Sequence, residues 1–310
     1  MKFVLNMQTY VFDNTLDGLL TAVFDSFFRK QQDVTLLAEG EQLPLFADEP
    51  HRVVTDSAKA ERVWKGLEKH LSREGLHMIT ISWLSEERAL NQPLFNMICK
   101  VFKPHPLTPS PRGEGEAFGK EGSLNTLLSL ERNASDEDVL AVRNTCRRVL
   151  HEQLRMKQFI RFQKAKDGTY LAVVSPDHNV LPLVTSHFQD RFNDQPWLIY
   201  DAKRHYGYYY SLTPNPSPKG EGNFKSEGNF KGEGSNYKVV RVTFEDEASV
   251  PFDLSNGKMD ADILSENDQL FQDLWRTYFK AICIKERMNP KKQLSDMPRR
   301  YWKYMTEKNG

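Results

Sequence analysis

Four of the eight histidines, His151, His178, His187 and His205, stand in the middle of the chain beside Asp177, Asp190, Asp194 and Asp201. Imidazole next to a carboxylate is the commonest general acid/base pair, because the ring titrates near neutrality and the carboxylate fixes its tautomer. His178 and His187 are therefore the acid/base candidates, with Asp177 or Asp201 as the partner carboxylate. These residues lack metal-ligand spacing, and Cys99, Cys146 and Cys283 form no CxxC pair, so neither a metal nor a cofactor is expected. No phosphate-binding loop, GxSxG, HExxH or dinucleotide fingerprint occurs, which leaves open whether the chain is an enzyme.

The cations offer a second chemistry. Arg143, Arg147, His151 and Arg155 recur at every fourth position, with Lys157 and Arg161 following. Like charges at that spacing repel on a helix unless an anion sits nearby. Phosphates would supply it, and their neutralisation releases counterions and makes binding salt-dependent. Lys203 and Arg204 between two strand-like runs, and Arg299, Arg300 and Lys303 sharing a face after Pro298, would extend such a patch. Trp197, Tyr206, Tyr208 and Trp302 are candidates to stack on an unpaired or extruded base, at about 1–3 kcal/mol each. Two plainer readings compete. The basic row could pair with the acidic stretch that holds Glu245, Asp246, Glu247, Asp253, Asp260, Asp262, Glu266 and Asp268, and the aromatics could be cross-strand core. Forty-two Lys and Arg balance 42 Asp and Glu, so net charge alone favours no polyanion.

Elements must position these groups. With 310 residues, 39% hydrophobic and 27% charged, the chain has a globular composition and room for a core. A mean hydropathy of -0.60, no long apolar run and no leader pattern give the expectation of a cytoplasmic protein without a membrane segment. A strand-like FVLNMQTYVF precedes Leu16, Leu19, Leu20, Val23, Phe24 and Phe27 at helical spacing; a second helix follows Thr55, and LHMITISWLSEERAL and PLFNMICKVF complete a mainly helical layer. Ser135 and Asp138 form a capping pattern before the basic helix. QFIRFQKA and TYLAVVS flank Lys166-Asp167-Gly168 as a hairpin, and PWLIYD and HYGYYY are two further strands around a helical PLVTSHFQDRF. Ser265 and Asp268 open a helix bearing Phe271, Leu274, Trp275, Tyr278, Phe279 and Ile282, ended by Asn289-Pro290.

Two segments differ in composition. LTPSPRGEGEAFGKEG and LTPNPSPKGEGNFKSEGNFKGEG are copies of one Pro/Gly-rich motif with too few apolar residues to offset ordering entropy. The expected organisation is a mainly helical part over 1–103, a flexible repeat insertion at 104–122, a central helix and β-hairpin region over 123–211, a second insertion at 212–234, and a helical part over 235–310, with 123–310 as one domain. The fold class expected is α+β (mixed α/β), mainly helical with a small antiparallel sheet in the middle region.

RMKQFIRFQKAKDGTYLAVVSPDHNVLPLVTSHFQDRFNDQPWLIYDAKRHYGYYY and the terminal MPRRYWKYMTE resemble the bacterial family called domain of unknown function 4130, and DGLLTAVFDSF and TDSAKAERVWKGL are similar as well. The resemblance implies a role in DNA repair or DNA metabolism. It also implies a partner, since members are encoded beside a radical-SAM protein with a helix-hairpin-helix DNA-binding element, or fused to a uracil-DNA-glycosylase-like domain. Neither a cysteine triad nor a glycosylase segment is found in this chain, so by resemblance the chemistry belongs to the partner, and the family brings no catalytic residues to carry over. The leading expectation is an accessory protein that binds DNA. An enzyme acting on a nucleic-acid base or end and a protein-interaction scaffold without DNA contact are the alternatives.

Overall fold

A computed structural model describes residues 8–31, 33–43, 49–103, 133, 135–212, 224–230 (backbone only), 238–244, 252–284 and 287–308. These residues form two units, 1–149 and 150–310.

In the first unit, β1 (Gln8–Phe12) is the centre of a parallel three-stranded sheet, between β2 (Val34–Ala38) and β3 (His51–Arg52). A central parallel strand is covered on both faces, which suits the buried Thr9, Tyr10 and Phe12. Parallel neighbours need a crossover, supplied by α1 (Leu16–Phe28), whose first turn is capped by Thr15 Oγ1 accepting from Gly18 N. α2 (Ser57–His70) and α3 (Arg73–Trp83) start on Asp56 and Ser72 in the same way, and α4 (Asn91–Phe102) completes the layer. Their apolar stripes meet β1 in one core around Phe12, Leu19, Leu67, Ile79, Leu94 and Ile98. Within it the nearly buried Asp25 carboxylate is satisfied by Lys59 Nζ at 2.8 Å and His51 Nε2 at 3.1 Å.

Next comes α5 (Glu137–Phe159), and the division between the units falls inside it. The cap here differs from the sequence expectation. Asp136, not Ser135, accepts from the N–H groups of Asp138 and Val139, because its carboxylate sits one residue closer to the open turn. Asp138 instead shares Lys100 with Asp136, both at 2.7 Å.

The second unit is a six-stranded sheet in the order β4-β5-β6-β7-β9-β8, formed by β4 (Gln163–Lys164), β5 (Tyr170–Val174), β6 (Trp197–Asp201), β7 (Tyr206–Ser211), β8 (Phe224–Phe230) and β9 (Lys238–Phe244). The Asp167-Gly168 turn joins β4 and β5 as an antiparallel hairpin, with Gly168 at φ +90°, where only glycine is unstrained. The expectation of a simple small antiparallel sheet is corrected twice. One sheet is wholly parallel, and in the other β5 and β6 run parallel, joined through α6 (Leu181–Arg191). Unbroken apolar runs such as YLAVV and WLIYD are what centrally buried parallel strands require, and all five residues of β6 are buried. Part of the second repeat segment is strand rather than loop. β8 gains a backbone ladder by pairing with β9, with an irregularity between Glu227 and Asn229. The first insertion, 104–122, lies outside the described residues, as do 213–223 and 231–237.

Ser265 does not cap the next helix, α7 (Asp268–Ala281). Asp268 is buried and accepts from Lys164 N at 2.8 Å, while Ser265 N donates to Lys164 O, so the start of α7 is tied to β4. Asn289-Pro290 does not end α7 either; it opens α8 (Pro290–Asp296), where Pro at the first position needs no N–H partner. A 3-10 turn over Arg299–Tyr304 then buries Tyr301, with Met305 behind it. Among the described residues no helix is long and apolar enough to cross a membrane.

Gly207 in β7 shows how closely β6 approaches. A Cβ there would lie 2.6 Å from Ile199 O. Gly207→Ala is expected to destabilise the fold by about 2 kcal/mol in urea denaturation, as overpacking against backbone does; an unshifted midpoint would mean that the strands separate freely at this point.

Candidate nucleic-acid interface

β5 and β6 end side by side, and the chain after each turns outward at the carboxyl edge, where α/β folds place their sites. At the end of β6, Asp201 is 0% exposed; its Oδ1 accepts from Lys203 N at 2.9 Å and Arg204 N at 3.3 Å, and its Oδ2 from the Arg204 guanidinium at 2.9 Å. Burial pushes its pKa up, against the opposing pull of Arg204. Arg204 also donates to Pro176 O and Asp177 O, and Lys203 Nζ to Asp177 O at 2.7 Å. The loop after β5 is thus clamped by the turn after β6.

Glu152 on α5, 1% exposed, holds the same loop from the other direction. Its Oε1 accepts from Asp177 N at 2.9 Å, Tyr301 OH at 2.7 Å and Arg300 at 3.1 Å, and its Oε2 from His178 N at 2.8 Å. Burial raises its pKa, but these donors outweigh it and hold the carboxyl below its ordinary range. Arg300 also pairs with the Asp177 carboxylate, and the Tyr206 hydroxyl with Asn179 Oδ1.

Several expectations are corrected by this geometry. Asp201 gives its carboxylate to Lys203 and Arg204, so it is not the partner of a catalytic imidazole. Lys203, Arg204 and Arg300 are engaged by carbonyls and carboxylates of their own unit rather than presented to phosphate. Trp197, 1% exposed, is stacked on Tyr210 at 5.4 Å, and Tyr206 and Tyr208 are buried edge to face, so none of the three has a ring face for a base. Trp302 is half-buried between Arg299 and Lys308 and donates to Met297 O. Lys303 lies 4.6 Å from the Tyr304 ring centre. His178 stays at the loop beside Asp177, whereas His187 sits far along α6. Of the basic row, Arg143 is half-buried and Arg147 exposed in the first unit; His151 is exposed and Arg155 donates to Ser295 O in the second. Asp253 and Asp268, from the acidic stretch proposed as its counterweight, are occupied locally by Ser255, Asn256, Lys164 and Gln272.

Lys157 and Arg161 open onto something the sequence did not reveal. They border a cleft of about 760 Å³ together with Lys164, Arg191, Phe162, Tyr170, Phe188, Phe192, Phe271 and Trp275. Arg161 pairs with the enclosed Glu307 at 2.7 Å and lies 5.6 Å from the Trp275 ring centre, while the Trp275 indole N–H donates to Glu307 at 3.0 Å. Glu307 is held below the ordinary carboxyl pKa, Arg161 outweighing burial. Among the described residues, no carboxylate lies within ion-pair distance of Lys157, Lys164 or Arg191. Lys164 and Arg191 lie instead 5.6 and 5.7 Å from the ring centres of Tyr170 and Phe192. The field is felt nearby: His187 is held below its ordinary pKa by burial first, then by Lys157 and Arg191. On α7, Phe271 is 62%, Trp275 39% and Tyr278 55% exposed.

Fold and site together define an α+β protein whose second unit carries a basic, aromatic-lined cleft beside a mixed sheet. The family model described as a domain of unknown function (DUF4130) matches residues 123–307, a span that contains the whole cleft, and the chain belongs to that family. A search of curated proteins gives no match.

Glu152→Gln removes a buried charge that four donors converge on and is expected to destabilise the protein by about 3 kcal/mol in chemical denaturation. Since Glu152 and Glu307 are both depressed in the folded state, their stabilisation is complete above the ordinary carboxyl pKa and is lost as pH falls below about 4.3. Melting followed from pH 7 to pH 3 should show that loss, and Glu152→Gln should make it shallower.

Proposed function

We propose that the protein is an accessory factor of DNA repair or DNA metabolism that binds nucleic acid in the cleft of the second unit and works in the bacterial cytoplasm with a radical-SAM partner. The observation that carries the binding is the set of Lys157, Lys164 and Arg191, cations without a carboxylate partner among the described residues, around an aromatic-lined hollow. Cations kept apart from protein carboxylates retain their full attraction for phosphate, and rings beside them add sequence-tolerant stacking. The partner rests on the sequence resemblance, which also assigns it the chemistry. The lowered pKa of His187 fits the binding role, since the two cations that depress it are those a phosphate would neutralise.

The test is a salt series of fluorescence-anisotropy titrations of labelled DNA with the full chain and a Lys157→Glu/Arg191→Glu variant. Binding should weaken by about tenfold or more, and the slope of log K against log salt should fall by about two. Thermal stability should hold, as neither side chain forms a native ion pair among the described residues. Equal binding by both proteins would remove the cleft from the reading. In NMR titrations, bound DNA should move the His187 pKa up toward its ordinary value.

A further inference from the structure

We infer that the cleft takes an unpaired strand, its bases stacked on Phe271 and Trp275, with Tyr278 continuing the same stripe beyond the cleft, and its phosphates on Lys157, Lys164 and Arg191. This inference rests on the nucleic-acid reading above and adds the form of the ligand. Phe271, Trp275 and Tyr278 lie on one stripe of α7, four and three residues apart, all substantially exposed. An apolar stripe that no described residue covers calls for an occupant, and its surroundings restrict which one. A protein helix laid on it would desolvate the three cations at the cleft without repaying them unless it were acidic. An occupant that carries both regular negative charge and flat apolar faces is a nucleic acid. In a duplex those faces are already stacked on one another and the grooves offer only base edges, so the exposed rings favour a strand whose bases are unpaired.

The spacing agrees. Helical rise places the three rings about 4.5–6 Å apart along the axis, wider than the roughly 3.4 Å step of stacked bases and suited to an extended strand. The Trp275 and Tyr278 ring centres are 5.8 Å apart and tilted by 35°, so the two rings form a tilted aromatic pair on the exposed stripe. Trp275 is set in advance: its edge is fixed by Glu307 and the Arg161 guanidinium lies against the ring. A ring already ordered loses little entropy when a base stacks on it. The cleft volume of about 760 Å³ is that of a small-molecule site, room for a nucleotide or two rather than for a double helix.

The experiment compares a labelled single-stranded oligonucleotide of mixed sequence with the matching duplex, using the full chain and its Phe271→Ala, Trp275→Ala and Trp275→Phe variants. The single strand should bind at least about tenfold tighter than the duplex, each alanine variant should lose about tenfold on the single strand and little on the duplex, and Trp275→Phe should restore most of the loss. Circular dichroism melting reports whether each variant is folded, and Trp275→Phe keeps the test open if Trp275→Ala is not. Equal affinity for the two forms, with the alanine variants unchanged and Lys157→Glu/Arg191→Glu weakened, would overturn the unpaired-strand inference and leave nucleic-acid binding standing. No binding of either form would overturn both. Displacement of the strand by a poly-glutamate peptide of equal charge at equal concentration would also overturn the inference, since it would show that charge alone is recognised.

Discussion

Once Glu152 is carried into the interior on α5, its carboxylate must find donors, because an unpaired buried charge is worth several kcal/mol of destabilisation. It finds them in two places far apart in the sequence: the N–H groups of Asp177 and His178 at the edge of the sheet, and the side chains of Arg300 and Tyr301 near the end of the chain. That convergence fixes the return of the last segment. With Arg300 and Tyr301 anchored, Glu307 six residues on is enclosed where Arg161 and Trp275 reach it, and those two residues form one wall of the cleft. The cleft thus inherits its shape from a hydrogen-bonded hub that does not line it.

The cations of the second unit divide into two kinds that composition cannot separate. Arg204 and Arg300 are committed to Asp201, Glu152 and Asp177, and their positive charge is spent inside the fold. Lys157, Lys164 and Arg191 have no such commitment among the described residues and so dominate the field at the cleft. Arg161 stands between the two, paired with Glu307 yet set against an aromatic ring.

Local signals were readable from the sequence. The Asp-Gly hairpin, the helix that carries Leu16 to Phe27 and the helix after Thr55 follow from spacing and turn chemistry, each decided within a few residues. What escaped depends on partners distant in the chain. Parallel pairing of β5 with β6 cannot be told from antiparallel pairing by apolar runs alone, and Glu152 reads as one more acid on a charged helix until residues 177 and 301 are placed beside it. Trp197, Tyr206 and Tyr208 have the residue types that stack on bases, yet the same types fill cores, and here they do. Phe271 and Trp275 belong to an amphipathic period, which says that one face of the helix is apolar but not what covers it. Arg191 and Lys164 carried no distinguishing pattern at all.

The strand β8 has its origin in a sequence that repeats itself. Phe224 and Phe230 begin and end it, six residues apart, in the consecutive copies GNFKSEG and GNFKGEG. A shift by the length of one copy brings like residue types to like backbone positions over the part that repeats, and the irregularity between Glu227 and Asn229 already sets six residue steps along β8, Phe224 to Phe230, against five along β9, Phe244 to Val239. An ordinary edge strand has a register enforced by the penalty of turning its apolar side outward. A repeated segment constrains its register less than a unique one does, so the outer rim of the sheet is specified more firmly in the direction of its pairing than in its position along β9.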